Sequence, residues 1–87
     1  AAIVDVGAAR AVLELAGARA RQVLLKGCSL DLHPRSFAPG HSAQSQLARA
    51  QVLLMQTDAL PTYRLFVRPS FGPYLVAWLL DAMAEYQ

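Results

Sequence analysis

The sequence is poor in cysteine and in charge. One cysteine among 87 residues allows no internal disulfide, which favours a reducing compartment and predicts a cytoplasmic protein. Charged residues make up 16% of the chain and hydrophobic residues 55%, so little polar surface is available to cover a small globule. We therefore expect a single domain, residues 1–87, that buries part of its exterior against another chain.

Other absences exclude classes of partner. No apolar run reaches the roughly 18 residues of a membrane span, and the start of the chain lacks the pattern of a secretory signal. The eight basic residues form no run and leave a net charge of +2, so we expect neither a membrane nor a nucleic acid as partner. The chain begins with Ala1 instead of Met, which indicates a processed, trimmed or fragmentary polypeptide.

Alternation of apolar and polar residues predicts an antiparallel sheet. The clearest strand is Thr62–Arg68, in which successive side chains face opposite ways. Val52–Met55 is continuously apolar, as in a central strand covered on both faces. The link Gly7–Ala9 is short enough for a hairpin. The remaining predicted strands are Ile3–Val6, Ala11–Ala16 and, within Ser45–Thr57, either two strands (Gln46–Arg49 and Gln51–Thr57) or one strand bent near Ala50.

Two segments have helical spacing. Ala18–Lys26 gathers its apolar residues on one side, and Gly27 stands where a left-handed C-cap glycine belongs. The second helix is predicted to start with Ser70 as N-cap and Pro73 in its first turn. Its apolar stripe comprises Phe71, Tyr74, Leu75, Trp78, Leu79, Ala82, Met83 and Tyr86. The order β-β-α-β-β-β-α predicts an α+β fold with two helices on one face of an antiparallel sheet.

One long segment, Gly27–Gln44, shows neither the alternation of a strand nor the spacing of a helix. It holds both histidines, the cysteine and two of the five prolines, yet it also carries apolar residues that a disordered segment lacks. We expect a fixed irregular connector in which Leu32 and Phe37 are substantially buried against the core or a partner.

Reactive residue types in this segment do not form the pattern of a catalytic or metal site. Cys28, Asp31 and His33 are metal-ligand types, but the paired spacing of a zinc site is absent. Ser29, Asp31 and His33 alternate along one stretch and cannot converge as a catalytic triad. We expect Cys28 to be a small buried residue, and Asp31 and His33 to hydrogen-bond the loop's own backbone.

Two arginines of the last strand are the best candidates for binding. Arg64 and Arg68 share one face of this strand, just before the second helix. One interpretation is a site for an anion or for a partner's carboxylate. The other is surface pairing with an acidic residue of the chain itself, namely Asp58, Asp81 or Glu85.

Two stretches resemble the gamma subunit of heterotetrameric sarcosine oxidase. They are L-L-K-G-C-S-L-D-L-H-P-R-S-F-A-P-G-H-S-A-Q at residues 24–44 and Y-R-L-F-V-R-P-S-F-G-P-Y-L-V-A-W-L at residues 63–79. The opening V-D-V-G-A-A-R-A-V-L-E-L-A-G-A-R-A is similar to the start of the same domain. Members of that family are longer, and the likeness is to their C-terminal half. The resemblance therefore implies a half-length domain, similar to one half of the aminomethyltransferase-type folate-binding fold.

The same resemblance implies a function. The chain would be a non-catalytic structural subunit of a flavin-dependent oxidase or dehydrogenase of sarcosine or a related N-methyl amino acid, packed on an alpha-type subunit. FAD, FMN, NAD and zinc would lie on partner subunits, and this chain would hold no cofactor, metal or catalytic residue. In isolation it could form a homodimer. We expect the partner interface to include Leu32, His33, Phe37, Arg64 and Arg68.

Two other functions stay open at this point. One is a binding module for folate or another small carboxylate, using Arg64, Arg68 or His33. The other is an independent enzyme that uses Cys28 or His33. The two family motifs, the surplus of apolar residues and the lack of a catalytic pattern favour the accessory subunit. The missing half of the fold weakens the folate-binding alternative, because the resemblance implies that folate would sit between two halves.

Overall fold

A computed structural model describes residues 1–7 and 12–86. The predicted α+β order is confirmed, with an antiparallel sheet of five strands and two helices. The elements are β1 (Ala2–Asp5), β2 (Val12–Ala16), α1 (Ala20–Leu25), β3 (Ser42–Leu47), β4 (Ala50–Asp58), β5 (Thr62–Val67) and α2 (Gly72–Met83). Two 3-10 turns, Pro69–Phe71 and Ala84–Tyr86, flank α2. Most of the predicted hairpin link, Ala8 and Ala9, lies outside the described residues, as does Ala11.

The strands follow the spatial order β1-β2-β5-β4-β3, and every neighbouring pair is antiparallel. Thus β5 lies at the centre of the sheet, and β1 and β3 form its edges. The chain leaves β2 through α1 and a long loop, forms the β3–β4 hairpin, and returns along β5 beside β2. None of the helices in the described part of the chain is long and apolar enough to cross a membrane.

One face of the sheet, called here the covered face, carries the core. Its side chains alternate along each strand, so Leu13 and Leu15 of β2 lie beside Tyr63 and Leu65 of β5, all fully buried. Both helices contribute to this same core, as predicted. Their buried apolar residues are Ala20, Val23 and Leu24 of α1 and Leu75, Leu79, Ala82 and Met83 of α2.

The opposite face, called here the open face, has no helix on it. The prediction that Val52–Met55 is covered on both sides is therefore wrong for this chain, because Leu53 and Met55 stay partly exposed while Leu54 is buried. Both helices lie on the same side of the sheet, so no element of the described chain is left to cover the other. The apolar residues of the open face are Val4, Val6, Val12, Leu53, Met55 and Phe66.

The glycine after α1 serves a different purpose from the predicted one. Positive φ angles occur at Gly17, Gly40 and Ala48 in the described ranges, but not at Gly27. A Cβ at Gly27 would lie 2.6 Å from Cζ2 of Trp78. Gly27 is therefore needed for close packing of α2 and not for a left-handed cap.

The start of α2 also differs from expectation. Ser70 lies within a 3-10 turn, and the N-cap is Phe71, with no side-chain hydrogen bond to the helix. Pro73 does occupy the first turn, as predicted, because a missing N–H costs little there. The apolar stripe is narrower than predicted, since Phe71 and Tyr74 are exposed and Trp78 is only partly buried.

The edge strand β3 begins earlier than predicted, at Ser42, so Gln44 belongs to the strand. Small polar residues have weak strand propensity, but the hydrogen-bonded ladder to β4 overrides it. The interpretation as two strands is confirmed, and a turn at Ala48 and Arg49 separates them. Ala48 adopts a φ of 54°, and its amide donates a hydrogen bond to the carbonyl of Gly27.

Candidate functional site

The loop of residues 26–41, called here the connecting loop, packs on the covered face. Leu32 is 1% exposed and Phe37 is 4% exposed, which confirms their predicted burial. The Phe37 ring stacks on that of Tyr63 with centroids 6.4 Å apart, and meets the edge of the His41 ring at 6.1 Å. Both predicted anchors therefore belong to the core of this chain, and their side chains offer no surface to a partner.

Asp31 organises the turn that follows Leu32. Its Oδ1 accepts a hydrogen bond from the His33 amide at 3.0 Å, and its Oδ2 accepts one from Ser36 Oγ at 2.9 Å. These two bonds, first that from His33 and then that from Ser36, lower the pKa of the Asp31 carboxyl. His33 Nδ1 in turn accepts from the Arg35 amide at 3.2 Å. Asp31 and His33 thus bind the loop's own backbone, as predicted.

Cys28 is buried, also as predicted. Its Sγ lies 3.5 Å from Ser45 Oγ, and its backbone forms an isolated bridge with Leu47 of β3. His33 has different neighbours, so the structure does not join these two residues into one site. Within residues 1–7 and 12–86, no group of three or more histidine, cysteine or acidic side chains could hold a metal ion.

Arg64 pairs with an acidic residue that the sequence did not indicate. Its Nε donates to Glu14 Oε2 at 3.1 Å across the β2–β5 ladder, where the two residues are direct partners. None of the predicted acidic partners forms an ion pair with Arg64 in the described part of the chain. Asp58 accepts from the amide of Leu60, and Glu85 pairs with Lys26.

Lys26 joins the ends of the two helices. Its Nζ donates to the carbonyl of Ala82 at 2.7 Å, forms an ion pair with Glu85 and lies 4.9 Å from the ring centre of Tyr86. The hydrogen bond and the positive charge of Lys26 lower the pKa of the Glu85 carboxyl. A cation at the carbonyl end of α2 also complements the dipole of that helix.

A shallow groove of about 640 Å³ lies on the open face, over β3, β4 and β5. Leu53 and Phe66, which are direct partners in the β4–β5 ladder, lie on its floor. Arg49 from the β3–β4 turn and Arg68 from the end of β5 line it, together with Phe71. The floor is apolar and the charged lining residues are both cations.

The predicted interface residues fall into three places. Leu32 and Phe37 are buried, His33 is exposed on the connecting loop, and Arg64 and Arg68 are exposed on the open face. The structure therefore unites only the two arginines on one surface. Sequence reasoning missed Arg49, because only the fold of the β3–β4 hairpin brings it to the same groove as Arg68.

Comparisons with known proteins agree with one another. A family model described as "Sarcosine oxidase, gamma subunit family" matches residues 1–85. Two similar relatives are the sarcosine oxidase gamma subunits of Corynebacterium sp. (strain U-96), 42% identical, and Arthrobacter sp, 43% identical, each over 84 residues and 97% of this chain. The chain spans only 40% and 41% of the lengths of these relatives.

A solved structure is also similar. It is a chain of the heterotetrameric sarcosine oxidase from Corynebacterium sp. U-96, in a complex with pyrrole 2-carboxylate. The TM-score is 0.81 and the sequence identity 41%, over 86% of this chain and 38% of that chain.

Proposed function

Because the chain belongs to the sarcosine oxidase gamma subunit family, we propose that it is a non-catalytic structural part of a heterotetrameric flavin-dependent sarcosine oxidase. The single observation that carries this proposal is the 42% identity to a gamma subunit over 97% of the chain. The substrate would be sarcosine or a related N-methyl amino acid. FAD, FMN, NAD and zinc would belong to the partner subunits, and the chain would pack on an alpha-type subunit in the cytoplasm.

The chemistry of the described residues supports a structural role. Cys28 packs beside β3, while Asp31 and His33 hold the turn of the connecting loop, so the reactive side chains already have local partners. The partly or fully exposed apolar residues of the open face favour a chain that is completed by another polypeptide. Of the predicted interface residues, Arg64 and Arg68 are exposed on this open face, whereas His33 is exposed on the connecting loop, which packs on the other face.

The likeness to one half of the aminomethyltransferase-type folate-binding fold is part of the same proposal. The order β-β-α-β-β-β-α supports it. A second half would then lie against this one in the assembly. A structure of the complete assembly would test this by showing whether another unit of the same element order packs beside the chain.

Co-purification tests the proposed function. A tagged copy of the chain, expressed in its source organism, should retain flavin-containing subunits and produce hydrogen peroxide when sarcosine is added. The tag fused to an unrelated small domain is the control. The tagged chain expressed alone should show neither flavin absorbance nor turnover. Flavin or oxidase activity on the isolated chain would contradict a non-catalytic role, and recovery of no oxidase subunit would contradict membership of the assembly.

A further inference from the structure

The open face combines an apolar floor with a positive rim. We propose that its groove docks a segment of another subunit, in which carboxylates flank apolar side chains. This inference rests on the proposed function, because it takes the partner from the other subunits of the oxidase. It adds the surface that is used and the chemistry that the surface recognises.

The apolar part of the recognition comes from one row of the sheet. Val12, Phe66 and Leu53 are successive partners across β2, β5 and β4, and they point to the open face together. All three are only partly buried. Phe71, at the end of the groove, is 39% exposed. A partner's apolar side chains would remove this row from water, which is the dominant favourable term in most protein association.

The charged part comes from two arginines. In the described part of the chain no acidic side chain forms an ion pair with Arg49 or Arg68, whereas Arg64 on the same face is neutralised by Glu14. The Arg49 amide donates to Tyr74 Oη at 3.3 Å, which fixes the turn against α2. Two guanidinium groups therefore line the groove beside its apolar floor, and they match carboxylates on a partner.

A second copy of the chain is a poorer occupant of this groove. In a two-fold dimer through this face each surface patch meets its own copy. Arg49 and Arg68 would then approach the same two arginines, and the polar lining residues Gln44, Gln46 and Gln51 supply no negative charge. Like charges held together across an interface oppose association. The charge pattern thus favours an acidic partner over self-association.

The absence of lysine from the groove makes a direct test simple. Lys26 is the only lysine in the sequence. Arg49→Lys and Arg68→Lys keep the positive charge and place an amine at the rim, where a carbodiimide joins it to a carboxylate only in direct contact. Arg35→Lys, in the exposed connecting loop, is the matched control. Each tagged variant is purified with the oxidase subunits, treated with carbodiimide and mapped by mass spectrometry.

We expect the lysine at position 49 or 68 to be joined to an aspartate or glutamate of another oxidase subunit, and the lysine at position 35 not to be. Cross-links from positions 49 and 68 to a second copy of this chain, or none at either position, would overturn the inference. Co-purification of the oxidase would in that case still uphold the proposed function. If the wild-type chain retained no oxidase subunit, the proposed function would fail, and the docking inference would fail with it.

Charge reversal gives a second, quantitative test. The double variant Arg49→Glu and Arg68→Glu should bind the recovered subunits about tenfold or more weakly than wild type in surface plasmon resonance. Arg35→Glu should change the affinity little. Raising the salt concentration should weaken wild-type binding more than that of the double variant. Equal affinities for all three proteins, with unchanged circular dichroism, would overturn the inference.

Discussion

The two faces of the sheet both carry apolar residues, but only one of them is buried by this chain. On the covered face, Leu54 and Leu65 are buried under the helices and the connecting loop. On the open face, their neighbours Leu53 and Phe66 remain partly exposed, although they are equally apolar and equally central. A difference between adjacent residues of one strand cannot come from strand propensity, so it reflects what this chain places on each side.

The covered face stabilises the fold, whereas the open face is available to bind a partner. The covered face holds the core, and its burial supplies most of the free energy that folds the chain. The open face adds little to folding in isolation, and its apolar surface remains available for a partner. Substitutions on the two faces should therefore change different measurements.

The largest expected effect is on the covered face. Leu54→Ala should lower the free energy of unfolding by about 2–5 kcal/mol, because it leaves a cavity in the closed core. Leu53→Ala, one residue earlier on the open face, should cost about 1 kcal/mol or less, since its side chain is already partly in water. Urea denaturation of the two variants and the wild type measures both values.

The same two variants, Leu53→Ala and Leu54→Ala, can also contradict the proposed difference between the two faces. If Leu53→Ala destabilised the isolated chain as much as Leu54→Ala, the open face would be covered in solution. Repeating the denaturation over a range of protein concentrations would then show whether a second copy covers it, because the stability of a dimer depends on concentration.

A smaller effect is expected at the contact between Gly27 and Trp78. Gly27→Ala should destabilise the chain by about 1–3 kcal/mol, because its Cβ would lie 2.6 and 2.8 Å from two atoms of the indole ring. Trp78→Phe removes the outer part of that ring and should recover most of the loss in the double variant. Thermal unfolding of the four proteins of this cycle measures the coupling, and additive effects would contradict the steric explanation.

The elements that sequence reasoning predicted are those with a strong local period. Alternating apolar residues identified β2 and β5 as strands, and helical spacing of apolar residues identified α2 as a helix. These patterns are strong because each element buries one of its faces in the same core. The burial of Leu32 and Phe37 followed from apolar residues in an irregular segment. The family resemblance read from residues 24–44 and 63–79 is likewise confirmed.

The features that were missed depend on contacts distant in sequence. Gly27 is constrained by Trp78, and Arg64 by Glu14, which lies 50 residues away. The turn at Ala48 could not be predicted, because it lacks the glycine or asparagine that usually adopts a positive φ. The continuous run Val52–Met55 shows that both sides of β4 are apolar, but not that the second side lacks a cover from this chain.

Each face also carries an ion pair, Lys26–Glu85 on the covered side and Arg64–Glu14 on the open face. Lys26→Met should cost about 1 kcal/mol, because Nζ also donates to a helix-end carbonyl and packs over the Tyr86 ring on the covered side. Arg64→Met, which removes the pair with Glu14 on the open face, should cost about 0.5 kcal/mol or less. Chemical denaturation at low and high salt measures both variants. A larger loss for Arg64→Met would mean that the open face contributes to folding.

The smallest expected effect is that of Asp31, whose turn holds the connecting loop on the covered face. Its pKa is lowered in the folded chain, so its charge adds stability above the ordinary pKa of 3.8, and this is lost as the pH falls through the lower folded value. Asp31→Asn should therefore reduce the melting temperature slightly near pH 6, and the difference should vanish in acid. A difference that persisted in acid would show that the carboxylate charge is not its cause. Because the loop closes one face only, the same variant should bind partner subunits as wild type does.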